Sequence, residues 1–334
     1  MTLFIFFFTI LINFILFKNL NFFEKIFRVT DIPDYRKIHK ISVPLLGGTF
    51  FIINIFIIFL ATLYTNFNLI EFNINLFEIY SICFGIISFY ILGLIDDKNK
   101  MVSPINRLIF SFLIILFLMI LDSNLRINSL KISFIDSDQN NSITLPFYLS
   151  WILTIISFLV LINAFNMTDG INLLFSSYLF FVFLIMFYLG ILNMNLIVLI
   201  PFFIFFFINN YKSKIFFGSS GIMPSSFLVG YIFIKSYNYD ILIYSDWVFV
   251  ILFIPLVELL RLVVLRLKNN RHIFQADQNH LHHYIYFNFQ YPKSIFIVLI
   301  IYFLPSLIVI FNISTQFIFI ILIIYLYLIF KYRK

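Results

Sequence analysis

Long apolar stretches alternate with short polar loops along almost the whole chain. A helix needs roughly 20 mainly apolar residues to cross a bilayer, and a backbone in hydrocarbon satisfies its own hydrogen bonds most simply as an α-helix. The pattern therefore predicts an all-α integral membrane protein, a polytopic bundle of about 10–11 transmembrane helices forming one domain over residues 1–334. The apolar stretches lie near residues 2–22, 45–64, 77–95, 105–121, 147–164, 171–190, 194–209, 222–236, 247–265, 294–311 and 314–331.

Composition supports a membrane location and excludes a soluble globular protein. Hydrophobic residues make up 62% of the chain and charged residues 11%, whereas soluble domains are about half apolar and about a quarter charged. A water-soluble fold could not bury so much apolar surface, and the exposed remainder would aggregate. The bilayer is therefore the first partner that the sequence predicts.

Basic residues are concentrated in alternate loops. The chain has 22 Lys and Arg residues. If the amino terminus is outside, only Arg126, Lys131 and Lys235 among them fall in outside segments. The bias of basic residues toward the cytoplasmic side then places the other polar loops in the cytoplasm, beside anionic lipid. This distribution accounts for the net charge of +7 without nucleic-acid binding, which is not expected.

The longest outside segment covers residues 122–146 and differs from the other loops. Polar and apolar residues alternate from Arg126 to Ile132, and an Asp-, Asn- and Ser-rich stretch follows from Asp136 to Ser142. Alternation followed by turn residues is typical of a β-hairpin. A small periplasmic hairpin is expected here.

The first unusual inside loop combines basic residues with glycines. Arg36, Lys37 and His39 precede Pro44 and the two glycines at 47–48. Arg and Lys pair with phosphate oxygens, and glycine lets a ligand approach the backbone closely. A phosphate-binding loop and an ordinary basic loop beside the membrane both explain this pattern.

A pair of carboxylates, Asp96 and Asp97, ends the third apolar stretch. Neighbouring helical residues point about 100° apart, so one carboxylate could bind a metal while the other faces a different ligand. Two adjacent carboxylates at a membrane boundary also repel each other unless a cation relieves them. The alternative is a solvated helix end neutralised by Lys98 and Lys100.

A dense polar insert separates the fifth and sixth apolar stretches. Helix capping explains one of its polar residues, but not Asn163, Asn166, Thr168 and Asp169 together. Oxygen-donor side chains of this kind suit Mg²⁺ or a sugar. The insert is therefore a candidate metal or sugar site.

Two further inside segments could contact phosphate. Residues 218–221 are Gly-Ser-Ser-Gly at the start of the eighth apolar stretch, where free backbone N–H groups can bind an anion, although such a sequence is more often a plain turn. His280, His282 and His283 lie within four positions. Either metal binding or phosphate contact through imidazole N–H groups explains them, and spacing alone does not separate the two.

Together these five segments resemble the polyprenyl-phosphate N-acetylhexosamine-1-phosphate transferases, of glycosyltransferase family 4. The resemblance runs from about residue 31 to residue 283, with all five segments in the family's order and on its expected side. The residues 163–170 are very close to the family's Asn-Ala-x-Asn-x-x-Asp-Gly signature, and residues 280–283 resemble its histidine motif. The first loop and the aspartate pair also resemble family motifs.

The resemblance implies an enzyme of the bacterial inner membrane that transfers sugar 1-phosphate from a UDP-N-acetylhexosamine to undecaprenyl phosphate and releases UMP. It implies Mg²⁺ as the cofactor, with Mn²⁺ an alternative, and an active site built from cytoplasmic loops near 31–48, 96–107, 163–172, 210–221 and 266–292. The product would start a lipid-linked cell-surface polysaccharide. The identity of the sugar and the occurrence of a homodimer are left open.

The resemblance also implies roles for individual residues. Asp96 is the candidate base or orienter of the lipid phosphate, and Asp97 places that phosphate or the metal. Asn166 and Asp169 would lie beside the metal and the nucleotide, with Asn163 in the same substrate-binding segment. The groups that would hold the diphosphate or the lipid phosphate are Arg36, Lys37, His39, His280, His282 and His283.

Three positions depart from the family pattern. Lys100 and Asn172 stand where many relatives have Asp, and Ser219 stands where the family's Gly-Asp-x-Gly loop supplies a carboxylate to Mg²⁺. A serine hydroxyl is a poor substitute for that charge.

Two rival interpretations remain: an inactive relative that binds lipid-linked sugar or a partner enzyme, and a transporter. A transporter would place ionisable groups near the bilayer midplane. The apolar stretches of this chain are almost free of charge, and the main exception, Glu258, lies near the inner end of the ninth stretch.

Overall fold

The computed structural model describes residues 1–33, 41–65, 67–71, 75–98, 103–134, 142–275 and 277–332. Within these residues the chain is a bundle of α-helices with two very small sheets. In chain order the helices are α1 (Thr2–Lys18), α2 (Leu20–Phe27), α3 (Gly47–Tyr64), α4 (Leu76–Asp97), α5 (Pro104–Leu121), α6 (Phe147–Thr168), α7 (Leu174–Tyr188), α8 (Ile200–Tyr211), α9 (Ser219–Asn238), α10 (Ser245–Ile251), α11 (Phe253–Lys268), α12 (Leu281–Phe289), α13 (Lys293–Phe303), α14 (Ser306–Ile310) and α15 (Ile318–Tyr332).

The helices confirm an all-α, multi-pass membrane protein. Among the described residues, six helical segments are long and apolar enough to span a bilayer: α3, α4, α5, α6, Met194–Tyr211 and Thr315–Tyr332. Two further pairs, α1 with α2 and α10 with α11, could each form one span but are bent by 71° and 72°. Length and composition thus support six to eight spans.

The remaining predicted stretches are helical but are shorter or more polar than a membrane span. The helices α7 and α13 contain 15 and 11 residues, fewer than the roughly 20 that a bilayer requires. The helix α9 is long enough, with 20 residues, but it contains several Ser residues, Pro224 and Lys235. It is therefore less apolar than the spanning helices, and protein rather than lipid surrounds it.

The helix α9 forms the centre of the bundle. Every residue from Ser220 to Tyr237 is buried, and the helix packs against α3, α4 and α6. Glycines permit the closest contacts: a Cβ at Gly48 would lie 2.2 Å from the Gly221 nitrogen, and one at Gly93 would lie 2.4 Å from the Ser219 carbonyl oxygen. Small residues at helix interfaces allow such backbone approach in membranes.

The two sheets are antiparallel pairs of two-residue strands. β1 (Thr30–Asp31) pairs with β2 (Val43–Pro44), and β3 (Ser129–Leu130) pairs with β4 (Ile143–Thr144). The second pair confirms the hairpin predicted within residues 122–146. The first pair was not predicted, and it brings residues 30–31 beside residues 43–44.

A buried ion network joins α4, α5 and α9 at the end of the bundle farthest from Asp97. The Lys235 ammonium lies 2.5 Å from a Glu78 oxygen and 2.8 Å from an Asp122 oxygen. The Tyr231 hydroxyl donates to Asp122, and the Tyr239 hydroxyl donates to Glu78. Since removing one member of such a network leaves an uncompensated buried charge, this network fixes the three helices at that end.

Candidate active site

Residues from the second and fourth candidate segments meet at the amino terminus of α9. The Asp97 carboxylate accepts backbone hydrogen bonds from Ser219 at 2.8 Å and from Ser220 at 2.9 Å. A carboxylate in this position satisfies N–H groups that the helix leaves free and interacts favourably with the helix dipole. Asp97 therefore stands where α4 ends and α9 begins, which we call the site end of the bundle.

Asp96 points to a different neighbour. Its carboxylate lies 3.2 Å from the Arg107 guanidinium on α5, and 22% of the Asp96 side chain is exposed. The two carboxylates thus face different partners, as expected for consecutive helical residues. Arg107 was not singled out from the sequence, because its pairing depends on how α4 and α5 pack.

The polar insert, whose first part forms the end of α6, contains fewer side chains free to bind a ligand than its composition suggests. Asn163 donates to Leu159 in its own helix, Thr168 donates to Phe165, and Asn172 donates to Ser213. These bonds occupy side chains that the sequence alone leaves unexplained. Asn166, partly buried and one helical turn from Asn163, and Asp169, which directly follows α6, remain to face a ligand.

Asp169 directly follows α6 and lies close enough to Asp97 for their charges to interact. Its surface is accessible, yet the surrounding protein removes enough hydration to raise the pKa of its carboxyl to about 7, and the charges of Asp31 and Asp97 add to that increase in pKa. Nearby negative charge of this kind is stabilised by a bound cation. Asp31, in the short strand β1, is a carboxylate near the site that sequence reasoning missed.

The three histidines form one cluster. Ring centroids are 5.0 Å apart between His280 and His282, 4.4 Å between His282 and His283, and 5.7 Å between His280 and His283. Burial lowers the pKa of all three imidazoles, and repulsion from neighbouring imidazoles adds to this decrease at His282 and His283. The pKa of His283 falls to about 4. The imidazoles are therefore neutral near pH 7 and offer N–H donors rather than positive charges.

The histidine cluster lies directly against the polar insert. His282 is 1% exposed, and a Cβ placed on Gly170 would lie 2.0 Å from its Nε2 atom. Within the described part of the chain neither ring nitrogen of His282 has a hydrogen-bond partner. Buried polar atoms usually have one, so a ligand at Asp169 and Gly170 could supply it.

The first loop is anchored at the same place. Gly47 and Gly48 donate backbone hydrogen bonds to the carbonyl oxygens of Phe216 and Phe217, at 2.9 Å and 2.8 Å. These bonds fix the start of α3 beside the residues that lead into α9. The predicted site residues Arg36, Lys37 and His39 lie outside the described residues.

The donors present fit Mg²⁺ held together with a phosphate better than a complete metal cage. Among the described residues no group of three or more His, Cys, Asp or Glu side chains could hold a metal ion. Mg²⁺ commonly uses one or two carboxylates and completes its shell with water and substrate phosphate. Asp97, Asn166 and Asp169 provide donors of that type. The pKa of Asp169 is raised mainly by loss of hydration and further by the charges of Asp31 and Asp97, which a cation would balance.

We expect Gly170→Ala to lower activity while leaving the protein folded. The new methyl group would overlap the His282 ring, and two further histidines limit where that ring can move. Displacing a substrate-facing group by about 1 Å costs roughly 100-fold in rate in some enzymes. Turnover and the thermal unfolding midpoint of purified protein would be compared with Gly190→Ala.

Gly190 is the matched control because a Cβ added there would meet no atom within 4 Å, although its φ is +71°. The control should therefore lower stability through backbone strain and leave turnover per folded protein unchanged. Normal turnover in Gly170→Ala would show that the position of the His282 ring does not matter.

Comparison with known proteins gives two matches. Residues 79–237 match the family model described as glycosyl transferase family 4, and this region contains the aspartate pair, the polar insert and the start of α9. Over 290 residues the chain is 24% identical to the probable undecaprenyl-phosphate N-acetylglucosaminyl 1-phosphate transferase of Bacillus subtilis (strain 168), covering 83% of this chain and 75% of that relative. Over residues 79–237 the chain is therefore similar to glycosyl transferase family 4.

Proposed function

We propose that the chain transfers an N-acetylhexosamine 1-phosphate from a UDP-sugar to undecaprenyl phosphate and releases UMP. The observation that carries this proposal is a continuous series of neighbours: Asp97 caps the amino terminus of α9, its charge acts on Asp169, and His282 lies against Gly170, the residue after Asp169. Carboxylates for a cation, neutral N–H donors for phosphate oxygens and a helix amino terminus together suit phosphoryl transfer, which depends mainly on positioning and charge stabilisation.

In the proposed reaction an oxygen of the lipid phosphate attacks the phosphorus that bears the sugar. A new phosphorus–oxygen bond forms there, and the bond from that phosphorus to the oxygen shared with UMP breaks. Since a phosphate monoester has a second pKa of about 6, the attacking oxygen is already largely deprotonated near pH 7. This chemistry favours Asp96, fixed by Arg107, as an orienting group over a role as a base.

Asp97, Asn166 and Asp169 would hold Mg²⁺, with Mn²⁺ as a substitute. When bound, the ion would neutralise charge on the phosphate oxygens. His280, His282 and His283 would donate hydrogen bonds to phosphate, assisted by Arg36, Lys37 and His39 from the first loop. Asn163 would stabilise the end of α6 that carries Asn166, because its side chain donates to the Leu159 carbonyl oxygen in the same helix.

An apolar cavity supports the choice of a lipid acceptor. It has a volume of about 510 Å³ and lies between α6, α9 and α11, with Leu161, Phe233 and Leu256 among its lining residues. It extends from the β3–β4 hairpin to Leu260, one residue before Arg261. A cavity of this length and character could accept part of a polyprenyl chain whose phosphate lies at the site end.

The proposed setting is the bacterial inner membrane, with the amino terminus outside and the site end in the cytoplasm. The concentration of Lys and Arg in the predicted inside loops supports this orientation. It also places the site where cytoplasmic UDP-sugars are available. Labelling of single cysteines introduced at each end of the bundle in intact cells would test the orientation.

The direct test is release of UMP from membranes that contain the chain, with UDP-GlcNAc and other UDP-N-acetylhexosamines. Release that requires both undecaprenyl phosphate and Mg²⁺ is expected. Absence of release with every donor, from well-folded protein, would contradict the proposal. It would then favour the inactive relative, for which the absence of a carboxylate at Ser219 is the supporting observation.

We expect Ser219→Asp to preserve turnover and to lower the Mg²⁺ concentration required. The Ser219 amide donates to Asp97, so an Asp here would add a carboxylate beside the proposed metal ligands. A tenfold decrease in the half-maximal Mg²⁺ concentration would correspond to about 1.4 kcal/mol of tighter binding. A Mg²⁺ titration of turnover measures this effect.

Ser219→Asn is the matched control, because it introduces a side chain of nearly the same size without a charge. It should leave the Mg²⁺ requirement unchanged. A large loss of turnover in Ser219→Asp but not in Ser219→Asn would show that this loop does not tolerate a carboxylate and is not an altered metal site.

A further inference from the structure

The helix that carries the histidine motif is capped by a residue from another helix. His280 occupies the N-cap position of α12, and its side chain makes no capping hydrogen bond. The Leu281 amide donates instead to Glu258 Oε1, at 2.8 Å. Glu258 lies on α11 and is 1% exposed. A carboxylate of α11 therefore has the role that a Ser, Thr or Asp usually has within its own helix.

Other donors fix the Glu258 carboxylate in place. Arg261 donates through Nη2 to Oε1 at 2.8 Å and through Nε to Oε2 at 3.2 Å. The Tyr325 hydroxyl, on α15, also donates to Oε2. Both carboxylate oxygens thus have two donors each. A buried carboxylate with all its hydrogen bonds made has a defined position.

Arg261 also holds the histidine segment directly. Its Nη2 atom donates to the Asn279 carbonyl oxygen at 2.5 Å. The peptide groups on either side of His280 are therefore both attached to the Glu258–Arg261 pair. The His280 ring stacks on His282 with 23° between the ring planes, and His282 contacts Gly170. A displacement of the Glu258 side chain would thus reach the site through the histidine backbone.

We propose that Glu258 is a positioning residue that holds residues 279–281 so that the histidine cluster stands against Gly170, with Tyr325 making α15 part of this support. The proposal rests on the proposed function, because it takes the histidines to contact substrate phosphate. Glu258 itself touches no reacting group and acts through the histidines. Its position in the interior of the membrane domain is thereby explained without a transport role.

Glu258→Gln tests the proposal with hydrogen–deuterium exchange and turnover measured on the same full-length protein. Gln has the same shape, but its amide nitrogen cannot accept the bonds that one carboxylate oxygen now accepts. We expect amides in residues 279–283 to exchange about tenfold faster, since a hydrogen bond to a charged group contributes about that factor or more. Turnover should fall by about tenfold. Tyr325→Phe should change the exchange rate and the turnover in the same direction but less. This second variant tests the proposal even if Glu258→Gln does not fold.

Asp246→Asn is the matched control. Asp246 is a carboxylate that accepts hydrogen bonds from two distant segments, through the Ser133 amide and the Thr315 hydroxyl. Its replacement should leave exchange in residues 279–283 unchanged. Unchanged exchange in both Glu258→Gln and Tyr325→Phe would overturn the proposal.

Faster exchange with full turnover would also overturn it, because the position of the segment would then be irrelevant to the reaction. Absence of turnover in the unmodified protein with every UDP-sugar is a different failure. It would overturn the proposed function and with it the role of Glu258 in transfer. The exchange comparison would still decide whether Glu258 holds the histidine segment.

Discussion

Asp97→Asn is expected to reduce turnover to background while the protein still inserts and folds. The substitution removes a negative charge from the proposed metal and phosphate site, and loss of one such group commonly costs about 10²–10³ in rate. Its structural cost is smaller, because the Asn oxygen can still accept one of the two backbone bonds from Ser219 and Ser220. Loss of a helix cap costs about 1 kcal/mol. UMP release and the unfolding midpoint of the same preparation separate the two effects.

Asp96→Asn should abolish turnover as well, with less effect on stability, because its contact with Arg107 is partly exposed. Asp240→Asn is the matched control: the Asp240 side chain is 85% exposed and pairs with Lys131 at 3.5 Å. It should change neither quantity. Full turnover in both Asp96→Asn and Asp97→Asn would remove the aspartate pair from the mechanism.

Gly48→Ala is expected to destabilise the bundle and to abolish activity. The added methyl group would lie 2.2 Å from the Gly221 nitrogen and 2.4 Å from its Cα atom. These are backbone atoms, so α3 and α9 would have to separate. Overpacking of a core typically costs about 1–3 kcal/mol even where side chains can move, and here it also displaces the start of α9. The yield of monodisperse protein, its unfolding midpoint and its turnover measure the effect.

Gly230→Ala provides the comparison within the same central helix. There the nearest atom to the added methyl group is a ring carbon of Phe158, at 2.8 Å, and Phe158 borders the apolar cavity. The ring can turn into that space, so a smaller loss of stability is expected. Equal losses in the two variants would show that close approach of the α3 and α9 backbones has no special importance.

The membrane bundle and the β3–β4 hairpin could be predicted because they depend on local pattern. Long apolar runs require helices in hydrocarbon, and alternation followed by turn residues indicates paired strands. The places of Asp97, Asp169 and the histidines could be predicted only as a resemblance to a family. The contacts of these residues in the structure are the basis of the proposed function.

The remaining contacts could not be derived from sequence because apolar helices give little information about which face packs where. A soluble helix marks its buried face by amphipathicity, whereas helices such as α3 and α4 are apolar on all sides. The pairing of Asp96 with Arg107, the capping of α12 by Glu258 and the approach of Asp31 therefore appear only in three dimensions. The bends after α1 and α10 could not be predicted either, since hydropathy does not record helix direction.

The composition of the central helix α9 has a consequence for how the protein is made. A helix with Lys235 and several serines would not partition stably into lipid on its own, because each such group is costly there. Its partners α3, α4 and α6 all precede it in the chain, and Glu78 and Asp122, which neutralise Lys235, are also synthesised earlier. During translation, α9 thus emerges after the helices that it packs against have been synthesised. Its insertion is an assembly step onto protein, and mutations in the earlier helices should appear first as failed biogenesis of α9.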